Sequence, residues 1–372
     1  MKFVFYTHSL VSCWNHGNAH FQRGVMRELI ALGHDVLALE PQDGWSRINL
    51  MAGQGEAALT RFARDFPELA DVPRTYGADF DHEAALDGAD VVIVHEWTDP
   101  ELVARIGRIR QAGGGFTLAF HDTHHRAASA DADIAALILE DYDLVLCFGQ
   151  TVTDRYLARG WGRNVFTWHE AADTRLFRPF PEAERSRDLV WIGNWGDDER
   201  AEELTEFLIE PVKALNLTGT VHGVRYPDEA LERLSGAGLE YNGWLPNVEA
   251  PEVFARHRMT LHVPRRPYVE SLPGIPTIRV FEALACGIPL ICAPWEDAEG
   301  LFRPGEDYLV ARDGDEMKTQ MRRVLEDPEM AAALAASGLD RIRSRHTCAH
   351  RVQELLDILR TDAAAPRTGE MV

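Results

Sequence analysis

Glu282 and Arg279 are the residues of this 372-residue chain whose types and spacing most clearly suggest a chemistry. They stand three positions apart in the run TIRVFEALACGIPLICA, so a helix would place them on one face. Gly287 stops that helix, and Pro289 directs the chain into an extended strand, Leu290 to Ala293. A carboxylate so placed can accept two hydrogen bonds from a sugar diol, and an arginine among apolar residues needs a phosphate or Glu282 itself as its partner. A solvated helical glutamate is the alternative.

A second cluster of chemically versatile side chains follows a predicted strand, Phe116 to His121. It adds Asp122, His124 and His125 to His121. These residues lack the i, i+4 spacing of paired helical ligands, and no second cluster supplies a fourth ligand, so we predict no metal site. Near neutral pH, His121 could hold a hydroxyl group as donor or acceptor. A structural hydrogen bond to the next strand is the alternative.

The loop from His8 to His20 is long, polar and aromatic, and it lies between a predicted strand and a predicted helix. Ligands of open parallel sheets bind at such loops. Gly17 and Asn18 stand at the start of the helix, where backbone N–H groups can meet an anion. A purely structural connector is the alternative.

A second loop with this property is Trp191 to Arg200. A short strand ends there in a turn that contains Gly193, and Arg200 begins the next helix, so N–H groups and a guanidinium could face one diphosphate. Three acidic residues directly before Arg200 would oppose an anion. A surface ion pair is therefore the alternative.

Alternating strand-like and helix-like runs must position these side chains, and such alternation is typical of parallel sheets. Lys2 to Tyr6, a helix over Phe21 to Leu32, and Asp35 to Leu39 form a βαβ unit. The other predicted strands are Asp90–His95, Phe116–His121, Leu144–Phe148, Asn164–Trp168, Leu189–Gly193, Gly219–Gly223, Leu239–Gly243, Met259–Val263 and Leu290–Ala293. The pattern predicts an α/β protein with two Rossmann-like, doubly wound parallel sheets. The break between them is expected near residues 174–181, which gives domains 1–178 and 179–347.

Composition and charge exclude several classes of protein. Apolar residues make up 45% and charged residues 26%, as in globular proteins. No run approaches the roughly 18 apolar residues that span a bilayer, and the opening MKFVFYTHSL is too soon polar for a signal peptide, so we expect a cytoplasmic protein. The net charge of −21 argues against nucleic-acid binding. Five scattered cysteines favour neither a disulfide framework nor zinc.

Two common nucleotide-binding motifs are absent from the sequence. No G-x-G-x-x-G follows the first strand, and no G-x-x-x-x-G-K-[ST] is present. The glycines at 113–115 precede a strand instead of joining a strand to a helix. Dinucleotide and ATP binding through these motifs are therefore not predicted.

The run FEALACGIPLI and the later PGEDYLVA resemble the C-terminal signature of two-domain glycosyltransferases of the GT-B type. Among them, the chain is most similar to the spore-maturation-protein-like group. The resemblance implies two Rossmann-like domains facing a cleft, a helix at about 348–361 that crosses back to the first domain, and a loose tail at 362–372. It implies transfer of a sugar from a nucleotide diphosphate sugar, with UDP-sugars favoured over GDP-sugars, without a metal or other cofactor. The acceptor could be a glycan, a lipid-linked glycan, a protein or a small molecule.

The resemblance also assigns roles to the residues above. Glu282 would hold the ribose hydroxyls, and His121 would contact the donor sugar. Arg200 and Arg279 would stabilise the charge of the leaving diphosphate. The backbone expected near the nucleotide sugar comprises Gly17, Asn18, Gly193, Gly274, Ile275, Pro276 and Thr277.

One departure from the family pattern leaves the reaction open. Retaining members often carry a second glutamate upstream of Glu282, at the position that Gly274 occupies here. If the reaction instead inverts the anomeric centre, it needs a general base, for which His20 or His16 is the candidate. A nucleotide-sugar epimerase and a non-catalytic binding protein of the same architecture are the alternatives.

Overall fold

The computed structural model describes residues 1–14 and 17–364, without the side chains of 362–364. His16 lies outside the described residues, as does the predicted loose tail from residue 365 onward. The chain divides into two compact units. Unit 1 comprises Met1–Ser12, Gln22–His169 and Cys348–Val372, and unit 2 comprises Cys13–Phe21 and Glu170–Thr347.

Unit 1 contains a seven-stranded sheet. Its strands are β1 (Lys2–Tyr6), β2 (Asp35–Pro41), β3 (Pro73–Tyr76), β4 (Val91–His95), β5 (Thr117–Asp122), β6 (Leu144–Cys147) and β7 (Val165–Thr167). All neighbours pair in parallel, in the order β3-β2-β1-β4-β5-β6-β7. The order reverses direction between β1 and β4, which makes their carboxyl ends the switch point where open parallel sheets bind ligands.

Helices join these strands. They are α1 (Asn18–Ala31), α2 (Trp45–Gln54), α3 (Ala57–Thr60), α4 (Phe62–Asp65), α5 (His82–Leu86), α6 (Pro100–Gln111), α7 (Arg126–Ser129), α8 (Asp131–Ala135) and α9 (Gln150–Arg159), with a 3₁₀ turn at Pro67–Leu69. The division between the units falls inside α1, after Phe21.

Unit 2 contains a six-stranded sheet. Its strands are β8 (Arg187–Ile192), β9 (Gly219–His222), β10 (Leu239–Tyr241), β11 (His257–His262), β12 (Leu290–Cys292) and β13 (Leu309–Val310). They too are parallel, in the order β10-β9-β8-β11-β12-β13, so the switch point lies between β8 and β11.

The helices that follow β8 complete the chain. They are α10 (Ala201–Leu204), α11 (Glu210–Leu215), α12 (Asp228–Gly236), α13 (Ala250–Ala255), α14 (Arg266–Glu270), α15 (Ile278–Ala285), α16 (Gly314–Glu326), α17 (Pro328–Arg345) and α18 (Cys348–Ala364), with 3₁₀ turns at Asp197–Glu199 and Asn247–Glu249. The last helix, α18, groups with unit 1.

The apolar strands explain why both sheets are buried. In β4, for example, all five residues of VVIVH are buried, as expected for a parallel strand with helices on both faces. In unit 2, the core is built on strand residues such as Leu189, Val221, Met259 and Ile291. The α/β class with two doubly wound parallel sheets, predicted from this pattern, is confirmed.

The sequence predicts a helix near Arg200 to Leu208, and the helical path in the structure is longer and less regular. Its path runs from α10 through a π-helical turn at Thr205–Ile209 into α11. Pro211 stands in the first turn of α11, where its missing N–H group is tolerated. The prediction of the end was therefore wrong.

Candidate functional site

Glu282 is a fully buried carboxylate in the middle of α15. Seven of the eight residues of this helix are buried, so the helix is enclosed on nearly every side. A buried charge is costly unless hydrogen-bond donors surround it. The partners of Glu282 therefore determine what the site can do.

Three donors hold the carboxylate of Glu282. Its Oε1 accepts hydrogen bonds of 2.9 Å from His20 Nδ1 and of 2.9 Å from Asn247 Nδ2. Its Oε2 pairs with the Arg279 guanidinium, three residues earlier on the same helix. Burial by itself would raise the pKa of Glu282, but Arg279, His20 and Asn247 outweigh it and lower the pKa below its ordinary value. The carboxylate is thus ionised and positioned.

The ring of His20 is fixed from both sides. Its Nε2 atom accepts a 2.8 Å hydrogen bond from the backbone N–H of Asp173, so the ring proton lies on Nδ1, which donates to Glu282. The ring also stacks on Phe177, with the centroids 4.1 Å apart. Because both nitrogens are engaged, this geometry favours a positioning role for His20, and its role as a general base stays a prediction.

A second buried carboxyl group, Glu170, lies near the first turn of α1. Its Oε1 accepts a 3.0 Å hydrogen bond from Asn18 Nδ2, and its carboxyl group accepts another from the backbone N–H of Ile278 at the start of α15. Burial, assisted by the negative charge of Glu282, raises the pKa of Glu170 to about 8, against the effect of these two donors. Glu170 is therefore mainly protonated at neutral pH, next to an ionised Glu282.

A pocket of about 110 Å³ opens at the carboxyl ends of β8 and β9. Its walls include three of the predicted site residues, Gly17, Gly193 and Arg279. The remaining lining residues are Cys13, Trp14, Ile192, Asn194, His222, Gly223, Trp244, Leu245, Asn247 and Ala250. All belong to unit 2, and two of them, Asn247 and Arg279, are the donors to Glu282.

Two positions at the pocket wall have no room for a side chain and are occupied by glycine. A Cβ atom on Gly17 would lie 2.6 Å from Ile278 Cγ2. A Cβ atom on Gly223, where φ is +156°, would overlap the carbonyl oxygen of Gly193. Side chains at these positions would therefore displace the backbone that borders the pocket.

Two buried polar atoms of this wall have no hydrogen-bond partner among the residues that the structure describes. They are Nδ1 of His222 and Oδ1 of Asn247. Burial, with a smaller contribution from His257, lowers the pKa of His222 to about 4, so its ring is neutral at neutral pH. Buried polar atoms without partners are unusual in a folded protein and indicate a place for a ligand or water.

Arg200 supports the turn after β8. Its Nη1 donates a 3.1 Å hydrogen bond to the carbonyl of Val263, and its Nη2 donates one of 2.5 Å to the carbonyl of Asn194. Its guanidinium also lies over the ring of Trp191, 5.1 Å from the centroid. Burial, then the charge of Arg265, lowers its pKa to about 10. The structure thus gives Arg200 two backbone partners, and its contact with a diphosphate stays a prediction.

The segment from Gly274 to Thr277 leads into α15. Gly274 has φ of +92°, and a Cβ atom there would lie 2.9 Å from Cβ of Ala298. Ile275 and Pro276 are buried, and the carbonyl of Ile275 accepts a 3.0 Å bond from Trp295 Nε1. The left-handed backbone and the tight packing therefore explain why glycine stands where the family pattern has glutamate.

His121 belongs to unit 1, at the carboxyl end of β5. It pairs in register with His95 of β4, and its ring lies 4.9 Å from that of Trp168. Burial lowers the pKa of His121 to about 3, so the ring is neutral. Next to it, Asp122 accepts a 2.7 Å bond from the Tyr156 hydroxyl. The contact of His121 with a donor sugar stays a prediction.

Two negative findings apply to the described part of the chain only. Within residues 1–14 and 17–364, no three His, Cys, Asp or Glu side chains gather so that they could hold a metal ion. No helix in the same ranges has the length and apolar character needed to cross a bilayer.

Sequence reasoning did not identify four residues of this site: Asn247, Asp173, Glu170 and His222. Asn247 and Asp173 stand in connecting segments without a motif, and they meet Glu282 and His20 only through the fold. A weak signal existed for His222, because it lies next to the last residue of the predicted strand Gly219–Gly223, which borders the one predicted to end at Gly193.

Comparison with known proteins agrees with this architecture. Residues 200–357 match the family model described as glycosyl transferase-like. No curated protein sequence is significantly similar to the chain. Similarity at the level of solved structures is extensive.

Three solved structures illustrate the shared fold. Sucrose-phosphate synthase from Thermosynechococcus elongatus is 14% identical, with a TM-score of 0.67 over 98% of this chain and 100% of that one. HepE from Anabaena, solved in complex with UDP, is 14% identical, with a TM-score of 0.65 over 97% and 100%. The β-glucosyltransferase of T4 phage, solved with UDP-glucose, is 11% identical, with a TM-score of 0.63 over 98% and 100%.

These likenesses extend over nearly the whole of each chain, and the family match includes α15 with Glu282. The two parallel sheets are those of the GT-B architecture. The chain therefore has the GT-B fold of glycosyltransferases, and its residues 200–357 are similar to the glycosyl transferase-like family.

Proposed function

We propose that the protein transfers a sugar from a UDP-sugar to an acceptor and that unit 2 binds the donor. One observation carries this proposal. An ionised, buried Glu282 is held by Asn247 and Arg279, and both side chains also line the pocket at the carboxyl ends of β8 and β9. This edge of a parallel sheet is where open α/β folds bind nucleotides.

Glu282 would recognise the ribose through an exchange of partners. In the structure, its Oε2 accepts a hydrogen bond from Arg279. A ribose diol that replaced the guanidinium would give the carboxylate two hydroxyl donors, and Arg279 would become free to bind the diphosphate. His20 would keep Oε1 in place throughout, because its own orientation is fixed by Asp173.

The polar atoms of the pocket wall favour uracil as the base of the donor. Uracil presents one N–H donor and two carbonyl acceptors, and the unpartnered atoms of Asn247 and His222 offer matching groups, since an amide oxygen accepts and a neutral imidazole can donate or accept. HepE and the phage enzyme, which share the fold, are solved with UDP and UDP-glucose, and this supports the same assignment.

Charge on the leaving diphosphate would be met by protein groups. Arg279 is partly exposed and borders the pocket, and its guanidinium is held by Glu282. Donors fixed in advance stabilise a developing charge without reorganisation. We therefore propose that the transfer does not require a metal ion.

Calorimetry with UDP, GDP and ADP tests the donor assignment. We expect UDP to bind most tightly, with the same affinity in the presence of EDTA and of magnesium. Incubation with UDP-glucose should then release UDP faster when an acceptor is added. An epimerised sugar nucleotide formed without acceptor would favour an isomerase, and no binding of any of the three nucleotides would contradict the proposal.

A further inference from the structure

A concave surface lies beyond the carboxyl ends of the strands of unit 1. It has a volume of about 760 Å³ and is lined by segments that follow β1, β2, β3 and β4. These four strands are adjacent and include the switch point between β1 and β4. Position alone therefore makes this pocket a place for a ligand.

Two exposed indole rings line this pocket. Trp45, the first residue of α2, is 46% exposed, and Trp97, just after β4, is 41% exposed. Few large apolar side chains are exposed to this degree among the described residues, and two of them share one pocket. Exposed aromatic rings that line a concave site are typical of ligand recognition.

The ring of Trp97 is held in place by its neighbours. The guanidinium of Arg126 lies over it, 4.5 Å from the centroid, and the rings of His124 and His8 lie 5.2 Å and 6.0 Å away. Arg126 is anchored in turn by a 3.1 Å hydrogen bond to the carbonyl of Glu96. A rigid, partly exposed ring is a preorganised platform, which costs little entropy when a ligand packs on it.

The charged residues of the lining disfavour an anionic occupant. Three carboxylates, Asp43, Asp99 and Glu101, face two guanidinium groups, Arg105 and Arg108. His8 adds no charge near neutral pH, because burial lowers its pKa to about 4. Carboxylates accept hydrogen bonds from hydroxyl groups, and indole faces pack against the apolar faces of sugar rings.

We propose that this pocket, with Trp45 and Trp97 as its aromatic walls, binds a neutral saccharide as the acceptor of the transfer. This inference rests on the proposed function, which supplies the donor from unit 2. A hydroxyl group of the saccharide would be the nucleophile that forms the new glycosidic bond, while the bond to the diphosphate breaks and UDP leaves.

Saturation-transfer NMR with cellobiose, maltose and lactose tests the inference directly. At least one disaccharide should receive saturation from the wild-type chain. Trp45→Ala should weaken this binding about tenfold, while Trp45→Phe, which keeps an aromatic face, should retain most of it. Leu157→Ala is the matched control, because Leu157 is 55% exposed on α9 and does not line the pocket.

Two results would overturn the saccharide assignment. One is the absence of saturation transfer from the protein to any of the three disaccharides, or equal saturation transfer with the wild type and with Trp45→Ala. The other is cosedimentation with phosphatidylcholine vesicles only when they contain a polyprenyl phosphate, lost in Trp45→Ala, which would indicate a lipid phosphate. Calorimetry with UDP separates the two proposals. If UDP does not bind, only the donor assignment is contradicted, and the saccharide assignment is decided by the NMR result.

Discussion

The Nδ1–H group of His20 donates a 2.9 Å hydrogen bond to Oε1 of Glu282, although 262 positions separate the two residues in the chain. The other nitrogen of the ring accepts from the backbone of Asp173, so the imidazole cannot turn without breaking both bonds. One oxygen of the carboxylate is therefore fixed by His20, and the other oxygen is paired with Arg279, whose side chain is partly exposed. The predictions below follow from this asymmetry and from the groups around it.

Replacing Glu282 should remove most of the affinity for UDP. In Glu282→Ala, the ribose hydroxyls lose their acceptor, and we expect the Kd for UDP to rise about 100-fold, as for loss of hydrogen bonds to a charged group. The variant should also lose about 1–3 kcal/mol of unfolding free energy, because buried donors are left without a partner. Calorimetry and urea unfolding measure the two effects.

Glu252→Ala is the control for this substitution, since Glu252 is 62% exposed and forms a long ion pair with Arg256, which is also exposed. Its affinity for UDP and its stability should match the wild type. Unchanged UDP affinity in Glu282→Ala, with a cooperative unfolding transition, would remove Glu282 from the donor site.

Arg279→Met should distinguish diphosphate binding from ribose binding. We expect UDP to bind about tenfold or more weakly, because a charge-assisted contact with the diphosphate is lost. Uridine, which has no phosphate, should bind nearly as well as before. Calorimetry with both ligands provides the comparison, and Arg256→Met, at an exposed position, serves as the control. Equal weakening of both ligands would contradict a phosphate role.

Glu170 should make stability depend on pH. Burial raises the pKa of Glu170 in the folded chain from 4.5 to about 8. At a pH between these two values, the folded state keeps a proton that the unfolded state has already released. The stabilisation is fully present below the unfolded pKa and is lost as the pH rises through about 8.

Glu170→Gln carries a permanently neutral amide and should lack this contribution. Urea unfolding across the same pH range, in wild type and variant, measures the difference between the two slopes. If the unfolding free energies of wild type and variant changed with pH in parallel, the Glu170 carboxyl would already be ionised at the lower end of the range.

Gly274 should be needed for the shape of its loop. A residue with a Cβ atom must adopt φ of +92° there and contact Ala298 at 2.9 Å, so Gly274→Ala should lose about 1–3 kcal/mol of stability. Gly236→Ala is the matched control, because a Cβ atom at that position, in α12, meets nothing within 4 Å. We expect it to be neutral or slightly stabilising. Gly274→Glu should not increase the transfer rate, and a gain of activity would contradict this account.

The fold was predictable from the sequence where apolar runs were long. Strands such as Val91–His95 are apolar except for their last residue, and glycine or proline marks the ends of helices such as Ile278–Ala285. The strand Pro73–Tyr76 was not predicted, because its four residues PRTY have no buried member and lie on the edge of their sheet. Edge strands lack the continuous apolar pattern on which such predictions depend.

The candidate site was only partly predictable for a different reason. Spacing along one helix placed Arg279 beside Glu282, and this prediction of a shared face is confirmed by their ion pair. The partners His20 and Asn247 come from distant segments, and a single sequence contains no local signal for such pairs. The protonated state of Glu170 likewise depends on burial, which its neighbours in the chain do not reveal.

Because Cys13–Phe21 belongs to unit 2, a C-terminal fragment alone does not contain the whole unit. A fragment that starts at Glu170 would contain Glu282, Arg279 and Asn247 but would lack the imidazole that orients the carboxylate. Chimeras that exchange donor specificity between homologous enzymes should therefore transplant this short N-terminal peptide together with the C-terminal portion.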